Sequence, residues 1–248
     1  MLCRTETSSS SDSMSDTPQN GRYAILDAYR GLCVVVMVIY HAAFDLAING
    51  FIPITLLINP VMDILHPVFA GSFVLMSGAT CRFSRSNLKK SIILALCAAA
   101  VSAVTYLFAR DMFVSFGILH FLAAGALIYH ILGRLFEKYE NIAAPLCLAL
   151  FLVSYFIFPV IIEAPGLAFA GFPTLSYESG DYYPLLPWIF LFMFGAFVGG
   201  VIKSNRMPAF FYRFRFPLFE KIGRFSLIIY LVHQPLIYGA VTLISSTK

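Results

Sequence analysis

Apolar and polar positions are segregated along this chain into long blocks. Seven mainly apolar stretches stand near 23–48, 63–82, 90–109, 113–133, 142–162, 184–202 and 225–245, separated by short polar or charged segments. The apolar runs do not alternate with a period of two, which argues against the strands of a transmembrane β-barrel. Each is long enough, at about 1.5 Å per residue, to cross about 30 Å of hydrocarbon as a helix. The pattern predicts an all-α fold: a polytopic transmembrane helical bundle of about seven spans, occupying 22–248 as one domain. Residues 1–21 are rich in Ser and Thr and hold no apolar run. They read as a disordered cytoplasmic tail, without the apolar core of a signal peptide.

Composition narrows the class. Only 12% of residues are charged and 59% are hydrophobic, against about 25% charged in soluble domains. A soluble globular domain and a disordered chain are both excluded. The net charge of +4 is no sign of nucleic-acid binding, because its cations fall in alternate loops. Arg82, Arg85, Lys89, Lys90, Arg134, Lys138, Lys203, Arg206, Arg213, Arg215, Lys221 and Arg224, with Arg4 and Arg22 of the tail, make 14 of the 17 basic residues. The intervening loops 49–62, 110–112 and 163–183 contain only Arg110. The positive-inside rule then places the N-terminus in the cytoplasm and the C-terminus outside, which suits an odd number of spans. The expected location is the cytoplasmic (inner) membrane. None of the five cysteines forms a CxxC pair, so no disulfide framework is expected and the thiols read as small buried apolar groups.

Ionisable groups inside a bilayer are costly and default to function. The first span carries four: Asp27, Arg30, His41 and Asp45. Arg30 and His41 lie eleven residues apart, three turns plus about 20°, so they share a face some 16 Å apart along the axis. His41 and Asp45 are neighbours at i,i+4. Such a stripe must line protein or a water-filled cavity. A carboxylate four residues from a histidine can fix its tautomer and raise its basicity, which suits a general base. His120 in the fourth span stands near the level of His41, and Asp63 and His66 open the second. Asp181, Tyr182 and Tyr183 precede the sixth, while His233 and Gln234, followed by Pro235, lie in the seventh.

These residues carry a resemblance. The first span, the segment SFGILH at 115–120, DYYPLLPW at 181–188 and GRFSLIIYLVHQP at 223–235 together resemble the catalytic domain of heparan-α-glucosaminide N-acetyltransferase in its bacterial form. The spacing from Arg30 to His41 also resembles the signature of envelope acyltransferases that O-acetylate surface sugars. The similarity covers about 22–245, nearly everything but the tail. The animal lysosomal members carry Asn where His41 stands and place their catalytic histidine in the first outer loop. His66 is the nearest histidine to that position, so the resemblance offers two bases, His41 and His66.

The resemblance implies a transmembrane acyltransferase. It would move an acetyl (acyl) group from cytosolic acetyl-CoA to an amine or hydroxyl of an extracytoplasmic sugar or envelope glycan. Acetyl-CoA is then a substrate, the bilayer and the glycan acceptor are partners, and neither metal nor haem is expected. Nucleic acid is not expected as a partner, and a homo-oligomer is compatible. Arg30 and Asp27 would bind the donor, His41 or His66 would act as base or acyl carrier, and Asp45 would orient His41. His120 or Gln234 would stabilise the oxyanion, and Asp181, Tyr182, His233 and Gln234 would contact the acceptor. Two other classes compete. A proton-coupled transporter or exporter could use the same His and Asp residues, but the chain lacks an inverted repeat and Gly/Pro-broken helix pairs. A b-type cytochrome could pair His41 with His120 and His130 with His233.

Overall fold

A computed structural model describes residues 23–157 and 164–246. The expected tail at 1–21 lies outside the described residues, as does the far end of the expected fifth span. Nine α-helices are described: α1 (Ala24–Ile48), α2 (Pro60–Cys81), α3 (Asn87–Phe108), α4 (Ile118–Lys138), α5 (Glu140–Leu152), α6 (Leu185–Lys203), α7 (Ala209–Arg213), α8 (Pro217–Arg224) and α9 (Ser226–Ser245). Among the described residues there is no strand, only one isolated backbone bridge between Phe116 and Tyr182. Six helices, α1 to α4, α6 and α9, are long and apolar enough to cross a membrane, and a shorter apolar helix covers Glu140–Phe156. The all-α bundle expected from hydropathy is the fold observed, and the chain is a multi-pass membrane protein.

Local chemistry sets the helix boundaries. α2 starts three residues before its apolar run, because Asn59 accepts hydrogen bonds from the amides of Val61 and Met62 at 3.0 and 3.1 Å, with Pro60 at the first helical position. Both features favour a helix start. α3 is capped likewise by Ser86, which accepts from the Lys89 amide at 3.3 Å. α4 begins five residues later than the apolar pattern suggests. Phe113 and Phe116 are engaged by the 164–184 loop: the amides of Gly180 and Tyr183 donate to their carbonyls at 2.9 and 3.1 Å.

The bundle packs in two parts. In the larger, α2 lies on α6, α3 on α4 and α5 on α6. Its centre is an edge-to-face pair of fully buried rings, Phe121 and Phe192, with centroids 6.0 Å apart, surrounded by Val74, Ala126 and Ala196. Gly78 lets α2 and α6 touch backbone to backbone, since a Cβ there would overlap the Phe192 carbonyl oxygen. In the smaller part, α1 packs on α8 and α9, and Gly31 meets Gly223 at the α1–α8 crossing. A Cβ on either would overlap a backbone carbonyl of the other helix. Small residues at crossings are how membrane helices gain van der Waals contact. Large apolar side chains such as Ile39, Ile64, Leu96, Leu107, Ile131, Ile142 and Leu243 are exposed on the outside of the bundle, as contact with lipid requires.

One end of the bundle, the basic end, is fastened by ions. Arg82, just past α2, pairs with Glu137 at 3.2 Å and Glu140 at 3.1 Å, and Glu137 also accepts from Tyr129 at 2.5 Å. The segment 203–225 is more than a basic loop, because it folds into α7 and α8 on this end.

Candidate active site

The polar stripe of α1 faces protein. Asp45 is 5% exposed, and its carboxylate accepts from Gln234 Nε2 of α9 at 3.3 and 3.2 Å. His41 sits one turn earlier, and its ring lies edge-on to His233 of α9, with centroids 5.0 Å apart and planes 79° apart. Tyr40 lies against His41 at 5.9 Å and against His66 of α2 at 5.3 Å. The chain thus brings together His41, Asp45, His66, His233 and Gln234 from three helices.

Hydrogen bonds define the tautomers. His41 Nδ1 lies 2.9 Å from the Met37 carbonyl and His233 Nδ1 lies 2.6 Å from the Tyr230 carbonyl. A carbonyl can only accept, so each neutral ring carries its proton on Nδ1 and keeps a lone pair on Nε2. His233 Nε2 is buried and has no hydrogen-bond partner among the described residues, and Gln234 Oε1 shares that condition. Buried acceptors without donors are costly in a packed core. His233 Nε2, on a ring packed against the His41 imidazole, is an open acceptor suited to a ligand that brings an O–H or N–H group.

The expected pairing of Asp45 with His41 differs from the one observed. Asp45 bonds Gln234, and the tautomer of His41 is set by the Met37 carbonyl. Asp45 remains close enough to His41 to act on it through its charge, and His41 also has His66, His233 and Asp181 within electrostatic reach.

Asp181 comes from the 164–184 loop and is locked from two sides. Its Oδ2 accepts from the Ile118 amide at 2.8 Å, so it caps α4, and from the Tyr230 hydroxyl of α9 at 3.3 Å. Burial pushes its carboxyl above the usual carboxylate range; those two donors and the nearby His41 and His120 pull the other way. Gly117 fits beneath it because a Cβ there would overlap Oδ2.

His120 is held at both ring nitrogens. Its Nδ1 accepts from the Gly117 amide at 3.2 Å, so Nε2 carries the proton and faces Ser102 Oγ at 3.2 Å. The Ser102 hydroxyl in turn donates to the Val114 carbonyl at 2.6 Å. Both ring nitrogens are engaged, unlike those of His41 and His233. The Tyr182 hydroxyl donates to the Ala168 carbonyl at 2.7 Å, which folds the loop on itself. His66 is exposed, with Tyr40 along one side, and Asp63 is exposed one turn before it. A cavity of about 280 Å³ opens within the loop, lined in part by Ser115, Phe116, Phe169, Thr174 and Tyr177, and the Phe116 ring leans on His120 at 5.5 Å.

At the basic end, Arg30 pairs with Asp27 at 3.3 Å. Lys90 of α3 lies within electrostatic reach of Arg30. Its Nζ donates to Thr80 Oγ1 at 2.9 Å, to the Ser77 carbonyl at 3.2 Å and to Cys81 Sγ at 3.5 Å. Along α1 this cationic group and the imidazole pair stand about three turns apart.

Tyr230, Tyr40 and Lys90 join these clusters without having been singled out in the sequence. Tyr230 was detectable, since Tyr230 and His233 are i,i+3 on one face of α9. Lys90 read as a loop cation because α3 begins at Asn87, earlier than its apolar run. Among the described residues no group of three or more His, Cys, Asp or Glu side chains could hold a metal ion.

The family model described as heparan-alpha-glucosaminide N-acetyltransferase, catalytic, matches residues 22–235. No curated protein and no solved structure matches the chain.

Proposed function

The chain belongs to the heparan-alpha-glucosaminide N-acetyltransferase catalytic family and is a transmembrane acetyltransferase in general type; from that premise we propose that it moves an acetyl group from cytosolic acetyl-CoA to an amine or hydroxyl of an extracytoplasmic sugar or envelope glycan. The observation that carries this reading is the paired imidazoles of α1 and α9, each with Nδ1 held by a backbone carbonyl and Nε2 left as a lone pair.

The chemistry follows from that tautomer. His41 Nε2 takes the proton from the acceptor as its nitrogen or oxygen attacks the thioester carbonyl carbon. The new C–N or C–O bond forms, the C–S bond breaks, and the departing thiolate takes its proton from the His41 imidazolium. Asp45 steadies the imidazolium through its charge, and His233 Nε2 offers a second lone pair beside it. Gln234 Oε1 receives a hydroxyl or amine hydrogen of the acceptor. His66, close to His41 across Tyr40, is the alternative base. Arg30 and Asp27 at the basic end hold the donor, with Arg30 suited to phosphate or carbonyl oxygens. Asp181 shapes the acceptor side by fixing α4 against α9; His120 and Tyr182 act as positioning residues there. The basic end faces the cytoplasm and the 164–184 loop faces outward, in the cytoplasmic membrane of the cell.

Radiolabelled acetyl-CoA supplied to membranes with and without this protein tests the assignment. Protein-dependent label in an amide or ester of a sugar or glycan is the expected result. Label that stays in acetyl-CoA and its hydrolysis products in both samples would overturn it.

A further inference from the structure

The 203–225 segment carries features that the acyl-transfer reading does not use. It joins α6 to α9 through α7 and α8, and α8, at eight residues or about 12 Å, is too short to cross a bilayer. Its six cations, Lys203, Arg206, Arg213, Arg215, Lys221 and Arg224, are all exposed. Its one acid, Glu220, is 6% exposed, accepts from the Phe216 amide at 3.1 Å and pairs with Arg215 at 3.7 Å. Arg206, Arg213, Lys221 and Arg224 have no ion pair among the described residues. The charge that this face presents to the surroundings is therefore all positive.

The same face is apolar. Phe210, Phe214, Phe216, Leu218 and Phe225 are exposed among those cations, and the Phe214 and Phe216 rings lie 5.3 Å apart. An open hollow of about 560 Å³ is lined by Ala209, Phe210, Arg213, Phe214 and Arg215. Two guanidiniums and two phenyl rings around one hollow match a phosphate group attached to a glycerol and acyl chains. Interfacial aromatics bury at the headgroup–acyl boundary, and clustered Lys and Arg beside a membrane helix attract anionic headgroups.

We propose that the α7–α8 elbow is a binding surface for anionic phospholipid, with the headgroup phosphate at Arg213 and Arg215 and the remaining cations drawing acidic lipid around it. Bound lipid bears directly on α1, because α8 touches it through the Gly31–Gly223 crossing, next to Arg30. Native mass spectrometry of the detergent-purified full chain tests this, with phosphatidylglycerol or phosphatidylcholine added. The wild type is expected to retain phosphatidylglycerol about tenfold or more over phosphatidylcholine, with the preference falling as salt rises. Substituting Arg213, Arg215, Lys221 and Arg224 together by Gln should abolish the preference, while Arg134→Gln with Lys138→Gln should leave it. Equal retention of the two lipids by the wild type would overturn the proposal, whether or not the quadruple variant folds. So would an unchanged preference in that variant. Displacement of phosphatidylglycerol by coenzyme A would also overturn it, since the surface would then serve a soluble phosphate ligand.

Discussion

Asp181 shows how one side chain connects loop, helix start and neighbouring helix. Its carboxyl is held above its ordinary range by burial, so the folded state favours the protonated form. The sign follows from linkage: this contribution is fully present below the unfolded value of about 3.9 and is lost as pH rises through the folded one. Asp181→Asn keeps an acceptor for the Ile118 amide and removes the charge. Thermal denaturation in nanodiscs from pH 4 to 8 should show the wild type losing stability relative to this variant as pH rises; a difference that is flat with pH would contradict the assignment. At this scale the sequence showed which polar groups stand in apolar runs, and the structure brings His41, Asp45, His66, His233 and Gln234 of that set together. It was a poor guide to partners. Asp45 reads naturally with His41 one turn away, yet it bonds Gln234, a contact that depends on how α1 and α9 lie against each other. His120 stands near the level of His41 in the sequence, and only the path of residues 113–117 shows that both its nitrogens are engaged.

Among elements, glycine crossings and one arginine set the packing. Gly31→Ala or Gly223→Ala should force α1 and α8 apart and cost about 1–3 kcal/mol, as overpacking does in other cores. Gly239→Ala in α9, where a Cβ meets nothing within 4 Å, is the control and should be neutral or slightly stabilising. Chemical unfolding of the three variants in detergent checks this, and equal stability of all three would show that the crossing is loose. Arg82→Ala should cost about 1–3 kcal/mol in the same assay: Arg82 is largely buried, but its two glutamate partners are partly exposed, which screens the pairs. No loss would mean that the clamp is solvated. Hydropathy marked the spanning helices well. α7 and α8 escaped it because they are short and charged, and the start of α4 escaped it because its capping carboxylate is 63 residues away in the chain.

For the whole molecule, the division into a basic end and an acidic loop end is the feature most legible from sequence, since it needs only charge counting. It makes topology testable. A cysteine introduced within 170–180 should react with an impermeant thiol reagent in intact cells, and one within 85–88 only after permeabilisation; the reverse pattern would invert the orientation. The same division separates the Arg30 cation from the His41–His233 imidazole pair along α1, and the proposed transfer rests on that separation. The most direct measurement is single-turnover acetyl transfer by His41→Ala and His66→Ala, each purified into nanodiscs and shown to be folded. The expected result is a loss of about 10²–10⁴-fold for His41→Ala and a change of no more than a few-fold for His66→Ala. Wild-type transfer by His41→Ala would contradict the assignment of the base, and abolished transfer by His66→Ala alone would move it across Tyr40 to α2.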